Sequence, residues 1–575
     1  MTRSAVFRRP VGETLAGRLQ NRLDDDSQGR ALAFYKPRQR VGEWKDFTTI
    51  YAEASATAGV MAELGCKAGD VCIIVLPSGP AAARLVLAAI LQGSIPLLIA
   101  PPSILGSGSD LSRVLRACIR KTKAKLVICP QSMAEEADTY SSVSKGTRIV
   151  FGEKSLLADP SGTLFDAPRP GALNLVALQL TSGTTGLPKI CVWNNRGVLS
   201  AIDGMTAAMA VGDDDVFFNW TPLYHDMGLV NNYLTCLVSG IPLVLMSPHD
   251  FVRAPVSWLR GLADTEATVT WSPNFGFALA SQRIDDHELE GLSLHHVRSF
   301  WNAAERIHLS TMLEFHRRFG PCGVSMDALK TNFGCAENVG GATFTEAGKP
   351  FSFEYVDGDL LLDRRVARPV PADSPAAVPV VGAGMAHPMM EISVRSRTGR
   401  ALPDGHVGEV ALDTPSAMVG YLGDARSTER AFRYGALRTG DLGYMRDGEL
   451  FWVGRAKERI TVRGRKVDPS DFEPVLFDIA GLRKGCFAAF GVDEPVTGTQ
   501  RVVVVSEVID NLTTSLDELR EQIGRSTLEK LGLSAEILLV PSGTLTKTSS
   551  GKRRHRHFRR AYDLGELQSL QVGER

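Results

Sequence analysis

The sequence lacks paired cysteine motifs and an excess of charge of one sign. Its nine cysteines are scattered, odd in number and never spaced as C-x-x-C, which argues against a disulfide framework or a zinc site and is typical of buried thiols in a reducing compartment. Lysine plus arginine and aspartate plus glutamate number 64 each, so no overall charge favours nucleic acid or a membrane surface. We therefore expect no nucleic-acid partner.

The sequence also lacks an uninterrupted apolar run long enough to cross a membrane. The longest candidate, Ala81 to Ala100, is broken by an arginine, a glycine and a proline. It predicts a helix over 81–92, a turn and a short strand over 96–100. Met1 to Pro10 has basic residues but no apolar run behind it, so no secretory signal is expected. These patterns predict a soluble, cytoplasmic protein.

Short apolar runs alternate with amphipathic segments over roughly the first 330 residues. The predicted buried strands are Val71 to Leu76, Ile95 to Ile99, Lys125 to Cys129, Leu243 to Met246 and Thr268 to Trp271, and the predicted helices between them include Thr49 to Leu64 and Asp110 to Thr122. This alternation is typical of an α/β fold, here with two doubly wound subdomains.

The pattern of apolar and polar residues changes towards the C-terminus. Alternating residues in Met390 to Val394 and Val407 to Leu412 predict a small antiparallel sheet or β-barrel. The segment from about Lys457 onward mixes strand and helix patterns and is long enough for a separate small α+β domain. We therefore predict a large N-terminal domain over 1–456 and a small C-terminal domain over 457–575.

The strongest chemical signal is one loop that follows the apolar strand Leu175 to Leu180. It reads Thr181-Ser182-Gly183-Thr184-Thr185-Gly186-Leu187-Pro188-Lys189. Glycines let the backbone approach a ligand closely, and successive amide N–H groups, hydroxyls and a lysine form a cradle for phosphate oxygens. The spacing is not that of a Walker motif. The alternative is a surface loop without a ligand, but the residue types favour phosphate binding.

This loop resembles the phosphate loop of the adenylate-forming superfamily, which includes acyl-CoA synthetases, luciferases, nonribosomal adenylation domains and fatty acyl-AMP ligases. Four more motifs similar to those of the superfamily follow in order: Phe333-Gly334-Cys335-Ala336-Glu337, Thr439-Gly440-Asp441-Leu442-Gly443, Gly454 to Ile460 and Lys547 to Lys552. The resemblance covers nearly the whole chain. It implies an enzyme that uses ATP and Mg²⁺ to convert a carboxylic acid into an acyl-adenylate.

The resemblance implies roles in metal and adenine binding. Glu337, with Thr184, would hold Mg²⁺, which takes oxygen ligands and often a single protein carboxylate. Phe333 would stack on adenine, although a core aromatic is the alternative. The remaining residues of the nucleotide site would be Thr181, Ser182, Gly183, Thr185, Gly186, Lys189, Ala304, Gly334 and Ala336.

Three later residues carry further implied roles. Asp441 would accept hydrogen bonds from the ribose hydroxyls, and Arg455 would reach the ribose or a phosphate; a turn aspartate and a surface arginine are the alternatives. Lys552 would stabilise charge as pyrophosphate leaves. Lys457 matches the hinge about which the small, mobile domain rotates between the two half-reactions.

A second set of residues resembles the fatty acyl-AMP ligase branch. Trp220 to Leu229 is similar to the WLPLYHDMGL segment of that branch, and Asn302 to Glu305 to its NGAE segment. Thr345 to Ala372 lies where those ligases carry an insertion associated with transfer to an acyl carrier protein rather than to CoA. A basic run from Lys552 to Arg560 suits an acidic carrier surface, or is simply a solvated helix face.

The acyl side of the site is less defined. His225 would touch the acyl carboxylate or a phosphate, or form a structural pair with Asp226. The acyl pocket is predicted to include Asn231, Asn232, Phe275 and Ala303. Phe275 belongs to a segment that resembles the same branch, whereas Asn231, Asn232 and Ala303 stand where the family pattern has glycines. We therefore expect an acid that is shorter, bulkier or more polar than a long saturated chain.

Three functions remain open at this point. The first is acyl-AMP formation with transfer to an acyl carrier protein, in polyketide or nonribosomal peptide assembly. The second is an acyl- or aryl-CoA ligase. The third is a degenerate nucleotide-binding protein with a regulatory role, against which the presence of Glu337, Asp441, Arg455 and Lys552 argues.

Overall fold

The computed structural model describes most of the chain. The described residues are 13–25, 29–102, 108–136, 140, 143, 146–157, 174–181, 188–455, 460–462, 465–477, 479–494, 499–547 and 553–570. Six residues of the phosphate loop, 182–187, lie outside this set, as do Lys457 with the predicted domain boundary and Lys552.

A seven-stranded sheet contains the first predicted strands. Its members are β3 (Val71–Ile74), β4 (Ile95–Leu98), β5 (Leu126–Cys129), β6 (Arg148–Phe151), β7 (Leu175–Leu180), β8 (Ile190–Asn194) and β19 (Gly420–Tyr421), in the order β19-β8-β7-β4-β3-β5-β6. The strands from β7 to β6 run parallel, whereas β8 and β19 pair antiparallel at one edge. The predicted buried strands are confirmed here to within two residues.

A larger sheet begins as a parallel sheet and continues as an antiparallel one. Its parallel part comprises β1 (Leu32–Lys36), β9 (Phe217–Asn219), β10 (Leu243–Met246), β11 (Val269–Pro273), β12 (Ser299–Ala303) and β13 (Leu329–Cys335), with the short β2 (Arg40–Val41) at its edge. Its antiparallel part comprises β14 (Gly340–Phe344), β15 (Phe353–Asp357), β16 (Ala377–Ala386), β17 (Glu391–Arg395), β18 (Gly408–Asp413), β20 (Leu437–Arg446) and β21 (Glu449–Arg455).

The antiparallel part corrects one prediction. The sequence predicted a small sheet or barrel, but β14 joins β13 directly, so these strands extend the large sheet in the order β13-β14-β16-β21-β20-β18-β17. Among the described strands this path ends at β17, so the antiparallel sheet is the alternative that is observed. The segment 345–372 adds β15, which pairs with β16, and a π-helical segment, Leu360–Arg364.

Helices cover these sheets. They are α1 (Leu15–Asp25), α2 (Phe47–Glu63), α3 (Pro80–Gln92), α4 (Gly108–Thr122), α5 (Asn195–Ala208), α6 (Thr235–Ser239), α7 (Pro248–Arg253), α8 (Val256–Thr265), α9 (Asn274–Arg283), α10 (Leu309–Phe319) and α11 (Ala425–Ala431), with a π-helical segment at Met227–Leu234. The interrupted apolar run forms α3, which begins with a proline and ends at Gly93 in the left-handed conformation. No helix among the described residues is both long and apolar enough to span a membrane.

The C-terminal segment forms its own small α+β unit. It contains the hairpin β22 (Ile460–Val462) and β23 (Arg465–Val467), the sheet β24 (Leu482–Glu494), β25 (Thr499–Val508) and β26 (Ala535–Val540), and the helices α12 (Glu473–Phe477), α13 (Leu516–Leu531) and α14 (His555–Asp563). Its apolar residues form separate core clusters. The chain thus has a large N-terminal domain and a smaller C-terminal domain.

Candidate active site

The phosphate loop connects the antiparallel pair β7 and β8. Thr181 and Lys189 close its base, since the Thr181 N–H donates to the Lys189 carbonyl over 2.9 Å and the Lys189 N–H donates to Thr181 Oγ1 over 3.2 Å. Ser182, Gly183, Thr184, Thr185 and Gly186 lie outside the described residues. The described ends of the loop therefore lie where β7 ends and β8 begins.

Glu337 lies next to this loop through a residue that sequence analysis missed. Its Oε1 accepts a 2.7 Å hydrogen bond from the hydroxyl of Tyr421. The Lys189 ammonium lies 4.2 Å from the centroid of the same Tyr421 ring, a cation–π contact. Burial and the nearby Glu337 raise the pKa of Tyr421, so its hydroxyl remains a donor. The structure thus brings the predicted acid and the predicted lysine to one point.

The backbone around Glu337 is held from three sides. The Trp193 indole N–H donates to the Ala336 carbonyl over 2.8 Å, and the Met418 N–H donates to the Glu337 carbonyl over 2.8 Å. A Cβ on Gly334 would lie 2.5 Å from the Gly340 carbonyl oxygen, so only glycine permits β13 and β14 to approach this closely. The turn that presents Glu337 is therefore fixed by its neighbours.

The predicted ribose site is formed by the β20–β21 pair, in which Asp441 and Arg455 are register partners. Asp441 is almost completely buried. Its Oδ1 accepts from Arg455 Nε over 3.1 Å and from Trp452 Nε1 over 3.2 Å. Both contacts use one oxygen, and none to Oδ2 is found within the described part of the chain. That second oxygen suits a pair of hydroxyl donors.

A cleft joins the predicted adenine and ribose residues. Ala304, Phe333, Gly334, Asp441 and Arg455 all line it. Phe333 is 8% exposed and belongs to the hydrophobic core, so it is a core aromatic that also borders the cleft. Ala304 has a φ of 72°, a left-handed conformation that costs energy for a residue with a Cβ and is common at functional sites.

The C-terminal domain closes the opposite side of this cleft. Glu473, Arg553 and His555 line it together with Phe333, and Arg553 directly follows Lys552 in the chain. Glu473 accepts from Arg553 Nη1 over 3.0 Å and contacts His308 of the N-terminal domain at 3.1 Å. The residue after the predicted catalytic lysine therefore borders the same cleft as the predicted adenine residue.

Burial and charge at this interface favour a fixed arrangement. Burial raises the pKa of Glu473, but Arg553 and His308 outweigh burial and hold it well below its usual range. Arg306 pairs with Asp471 and donates to Ser470 Oγ over 3.2 Å.

Arg553 is only 12% exposed, so it is not part of a carrier-facing basic surface, and the predicted basic run is interrupted at this residue.

His225 forms the local pair that sequence analysis kept as an alternative. Its Nδ1 lies 2.7 Å from Asp226 Oδ1, and the Met227 N–H contacts both side chains. The segment is also tied to β7, because Gln179 Nε2 donates to the Tyr224 carbonyl over 2.9 Å. His225 therefore lies beside the strand that leads into the phosphate loop, in a structural contact with Asp226.

The predicted acyl-pocket residues do not all come together. Asn231 and Asn232 are buried in the π-helical segment, and Asn231 Oδ1 accepts from the Gly341 N–H over 3.3 Å, just beyond Glu337 in the chain. Ala303 ends β12 and belongs to the same core cluster as that segment. Phe275 instead packs against Trp220, at 5.9 Å between ring centroids, next to a different cluster.

No group of three or more His, Cys, Asp or Glu side chains that could hold a metal occurs among the described residues. A magnesium ion bound through one carboxylate and phosphate oxygens needs no such group, so Glu337 fits this binding mode. All nine cysteines are free and eight are buried, as predicted.

Several functional candidates carried no local sequence signal. Tyr421, Trp452, Arg306, His308 and Glu473 stand outside the patterns on which the prediction relied. Only the pairing of β19 with β8 brings Tyr421 to Lys189, and only the docking of the two domains brings Glu473 to His308.

Comparison with known proteins agrees with this geometry. A sequence model of the family described as AMP-binding enzyme matches residues 24–422. The chain is 28% identical over 559 residues to a putative acyl-CoA synthetase of Caulobacter vibrioides, covering 95% of both chains. It is also 28% identical over 541 residues to the long-chain-fatty-acid–AMP ligase FadD26 of Mycobacterium marinum, covering 88% of this chain and 89% of that one.

The structure is also similar to known structures. A structure from work on fatty acyl-adenylate ligases of E. coli and L. pneumophila superposes with a TM-score of 0.88 at 24% identity, over 96% of this chain and 98% of the other. The matched residues 24–422 include the phosphate loop, Glu337 and Tyr421. With a family match over more than half of its length, the chain belongs to the AMP-binding enzyme family.

Proposed function

We propose that this enzyme uses Mg-ATP to convert a carboxylic acid into an acyl-adenylate and then transfers the acyl group to the phosphopantetheine thiol of an acyl carrier protein. Its membership of the AMP-binding family makes it a ligase that forms acyl-adenylates. The observation that best supports the adenylation step is the meeting of Glu337 and Lys189 at Tyr421, which places an acid and a cation beside a loop suited to phosphate.

The nucleotide is proposed to lie along the cleft. Phe333 and Ala304 would border adenine, Asp441 would accept from the ribose hydroxyls, and Arg455 would neutralise phosphate charge. The position of Asp441 supports this assignment, because it lines the cleft and its Oδ1 is held by Arg455 and Trp452, which orients the carboxylate. Lys189 and the loop residues 181–186 would bind the phosphates through N–H groups and positive charge.

Magnesium would be held by Glu337, with Thr184 and phosphate oxygens, and would neutralise the charge that repels an incoming carboxylate. Tyr421 would orient Glu337 for this task, since its hydroxyl donates to one carboxylate oxygen. His225 would act on the carboxylate or phosphate side.

Lys552 is proposed as the catalytic lysine of adenylation. As the acid oxygen attacks the α-phosphorus, the bond to pyrophosphate breaks, and a cation at this position would stabilise the charge that develops. Its neighbour Arg553 borders the cleft, which supports this role. Rotation about Lys457 would then withdraw the lysine and admit the thiol acceptor.

The acceptor is proposed to be a carrier protein rather than CoA. The supporting feature is the segment 345–372, which adds β15 and a π-helical segment beside β16 where acyl-AMP ligases carry extra chain. The relatives differ on this point, because one bears an acyl-CoA synthetase name and another an AMP ligase name. An acyl- or aryl-CoA ligase is therefore the second candidate function.

Two measurements test the proposal. Acid-dependent exchange of labelled pyrophosphate into ATP should occur with the wild type and be lost in Glu337→Gln, while Glu346→Gln, an exposed acid nearby, should retain it. If pyrophosphate exchange persists in Glu337→Gln, Glu337 does not hold the magnesium ion. Mass spectrometry of a holo-carrier protein and of CoA in parallel reactions then identifies the acceptor, and acylation of CoA alone would favour the second candidate.

A further inference from the structure

A second cavity lies away from the nucleotide cleft, beside the open edge of the large sheet. Its volume is about 450 Å³, and it is formed where β17, β18, β20 and the end of the π-helical segment 360–364 meet. We call it the arginine pocket. Its charged lining consists of Arg364, Arg365, Arg395, Arg397, Arg438 and Glu409.

The positive charge in this pocket is poorly compensated. Glu409 is the one carboxylate among the described lining residues, and it is already paired with Arg438. Arg364, Arg365 and Arg397 make no ion pair with any described residue. Burial and the neighbouring Arg397 lower the pKa of Arg365, because two guanidinium groups close together repel each other. An anion would relieve this repulsion.

Two of the arginines are held in place, Arg395 through its side chain and Arg365 through its backbone. Arg395 donates from Nε to Ser393 Oγ and from Nη1 to the Tyr434 carbonyl, each over 3.0 Å. Arg365 has a φ of 58°, and its carbonyl accepts a 2.8 Å hydrogen bond from the Val407 N–H. A left-handed backbone at an arginine costs energy, and a guanidinium that is already held, as in Arg395, suits bidentate contacts with phosphate oxygens.

The pocket lies on the back of the strand that carries the ribose aspartate. Successive side chains of a strand point to opposite faces: Asp441 lines the nucleotide cleft, whereas Leu442 lines the arginine pocket. Glu409 connects the two, because its Oε1 accepts from the Gly440 N–H over 3.1 Å while the same carboxylate binds Arg438.

We propose that the arginine pocket is a binding site for a phosphate-bearing anion, separate from the nucleotide cleft. A phosphate group matches the clustered guanidinium groups and the hydroxyl of Ser396 that line the pocket. Binding is electrostatic and weakens as ionic strength rises.

The test is calorimetric titration of inorganic phosphate into the full-length protein at low ionic strength, with AMP present in excess to occupy the nucleotide cleft. We expect saturable binding to the wild type and at least tenfold weaker binding to the double variant Arg365→Gln with Arg397→Gln. Arg400→Gln is the matched control, because it removes a charge from the same exposed hairpin but outside the pocket lining. Circular dichroism checks that each variant is folded.

A parallel titration with 4′-phosphopantetheine distinguishes two sources of the phosphate. Tighter binding than inorganic phosphate assigns the pocket to the arm of a carrier protein, and equal or weaker binding assigns it to free phosphate; either supports the site. No binding to the wild type, equal affinity in the double variant, or an equal loss in Arg400→Gln overturns the proposal.

Discussion

Tyr421 donates a 2.7 Å hydrogen bond to Glu337 Oε1, and this contact connects two segments that lie 84 positions apart. Tyr421 belongs to the two-residue strand β19, which pairs with β8 at the edge of the seven-stranded sheet, whereas Glu337 follows β13 of the larger sheet. The hydroxyl therefore fixes the acid of one sheet relative to the phosphate loop of the other.

Tyr421→Phe should raise the Mg²⁺ concentration needed for half-maximal adenylation. The ring and its contact with Lys189 remain, but one hydrogen bond to a carboxylate is lost, a change of about 1.5–3 kcal/mol and hence roughly tenfold or more in apparent metal affinity. Pyrophosphate exchange measured across a Mg²⁺ series tests this. Tyr562→Phe, which loses a hydroxyl contact with Glu536 in the C-terminal domain, is the control; an unchanged Mg²⁺ series in Tyr421→Phe contradicts the orienting role.

Asp441→Asn should weaken nucleotide binding by roughly tenfold to a hundredfold, because charge-assisted hydrogen bonds to the ribose are lost. Calorimetry with AMP measures the affinity without turnover. Asp447→Asn is a suitable control, since Asp447 lies in the turn of the same β20–β21 hairpin with a φ of 51°, a conformation that asparagine tolerates. An equal affinity in Asp441→Asn and wild type would exclude the ribose contact.

Glu473→Gln should loosen the contact between the two domains. The substitution leaves the buried Arg553 without an ionised partner, at a cost of about 3 kcal/mol, or roughly a hundredfold in local opening. Amide hydrogen exchange over Pro469 to Phe477 is expected to accelerate accordingly. Glu529→Gln, on the exposed face of α13, should leave exchange in that segment unchanged; if both variants behave alike, the Glu473 cluster does not hold the domains.

His387 should make the N-terminal domain less stable at acid pH. Burial lowers the pKa of this histidine from 6.5 to about 4. The unfolded chain binds this proton more readily than the folded protein does. The free energy of unfolding is therefore highest above about pH 6.5 and falls by up to about 3 kcal/mol towards pH 4. Urea unfolding at pH 7.5 and pH 5 should show a smaller difference in His387→Asn than in wild type, whereas the exposed His287→Asn should keep the wild-type difference.

Periodicity was sufficient for the buried strands of the first half of the chain, whereas the roles assigned to the nucleotide-site residues stay predictions. The apolar runs at Val71, Ile95 and Leu243 predicted buried parallel strands because such strands are covered on both faces and need no polar alternation. The motifs around Glu337 and Asp441 predicted residues that the structure places at one cleft or beside it. Sequence patterns are informative for features that depend on residues close together in the chain.

Features that depend on pairing between distant segments could not be predicted in this way. A short strand such as Gly420–Tyr421 has no periodicity, so its partner β8 is set by the surrounding fold. Alternation likewise identified the antiparallel strands but not their attachment to the large sheet through β13 and β14. The contact of the Phe275 ring with Trp220 is likewise set by the fold, and the assignment of Phe275 to the acyl pocket stays a prediction.

Strand β13 is the seam between two kinds of sheet, with a parallel neighbour in β12 and an antiparallel one in β14. A slip of one residue there would turn Phe333 and its neighbours to the opposite face and displace Glu337. Changes in chain length can therefore accumulate only in the connections beyond this seam, such as residues 345–352. The seam thus joins strands whose register fixes the position of Glu337 to connections whose length is free to change.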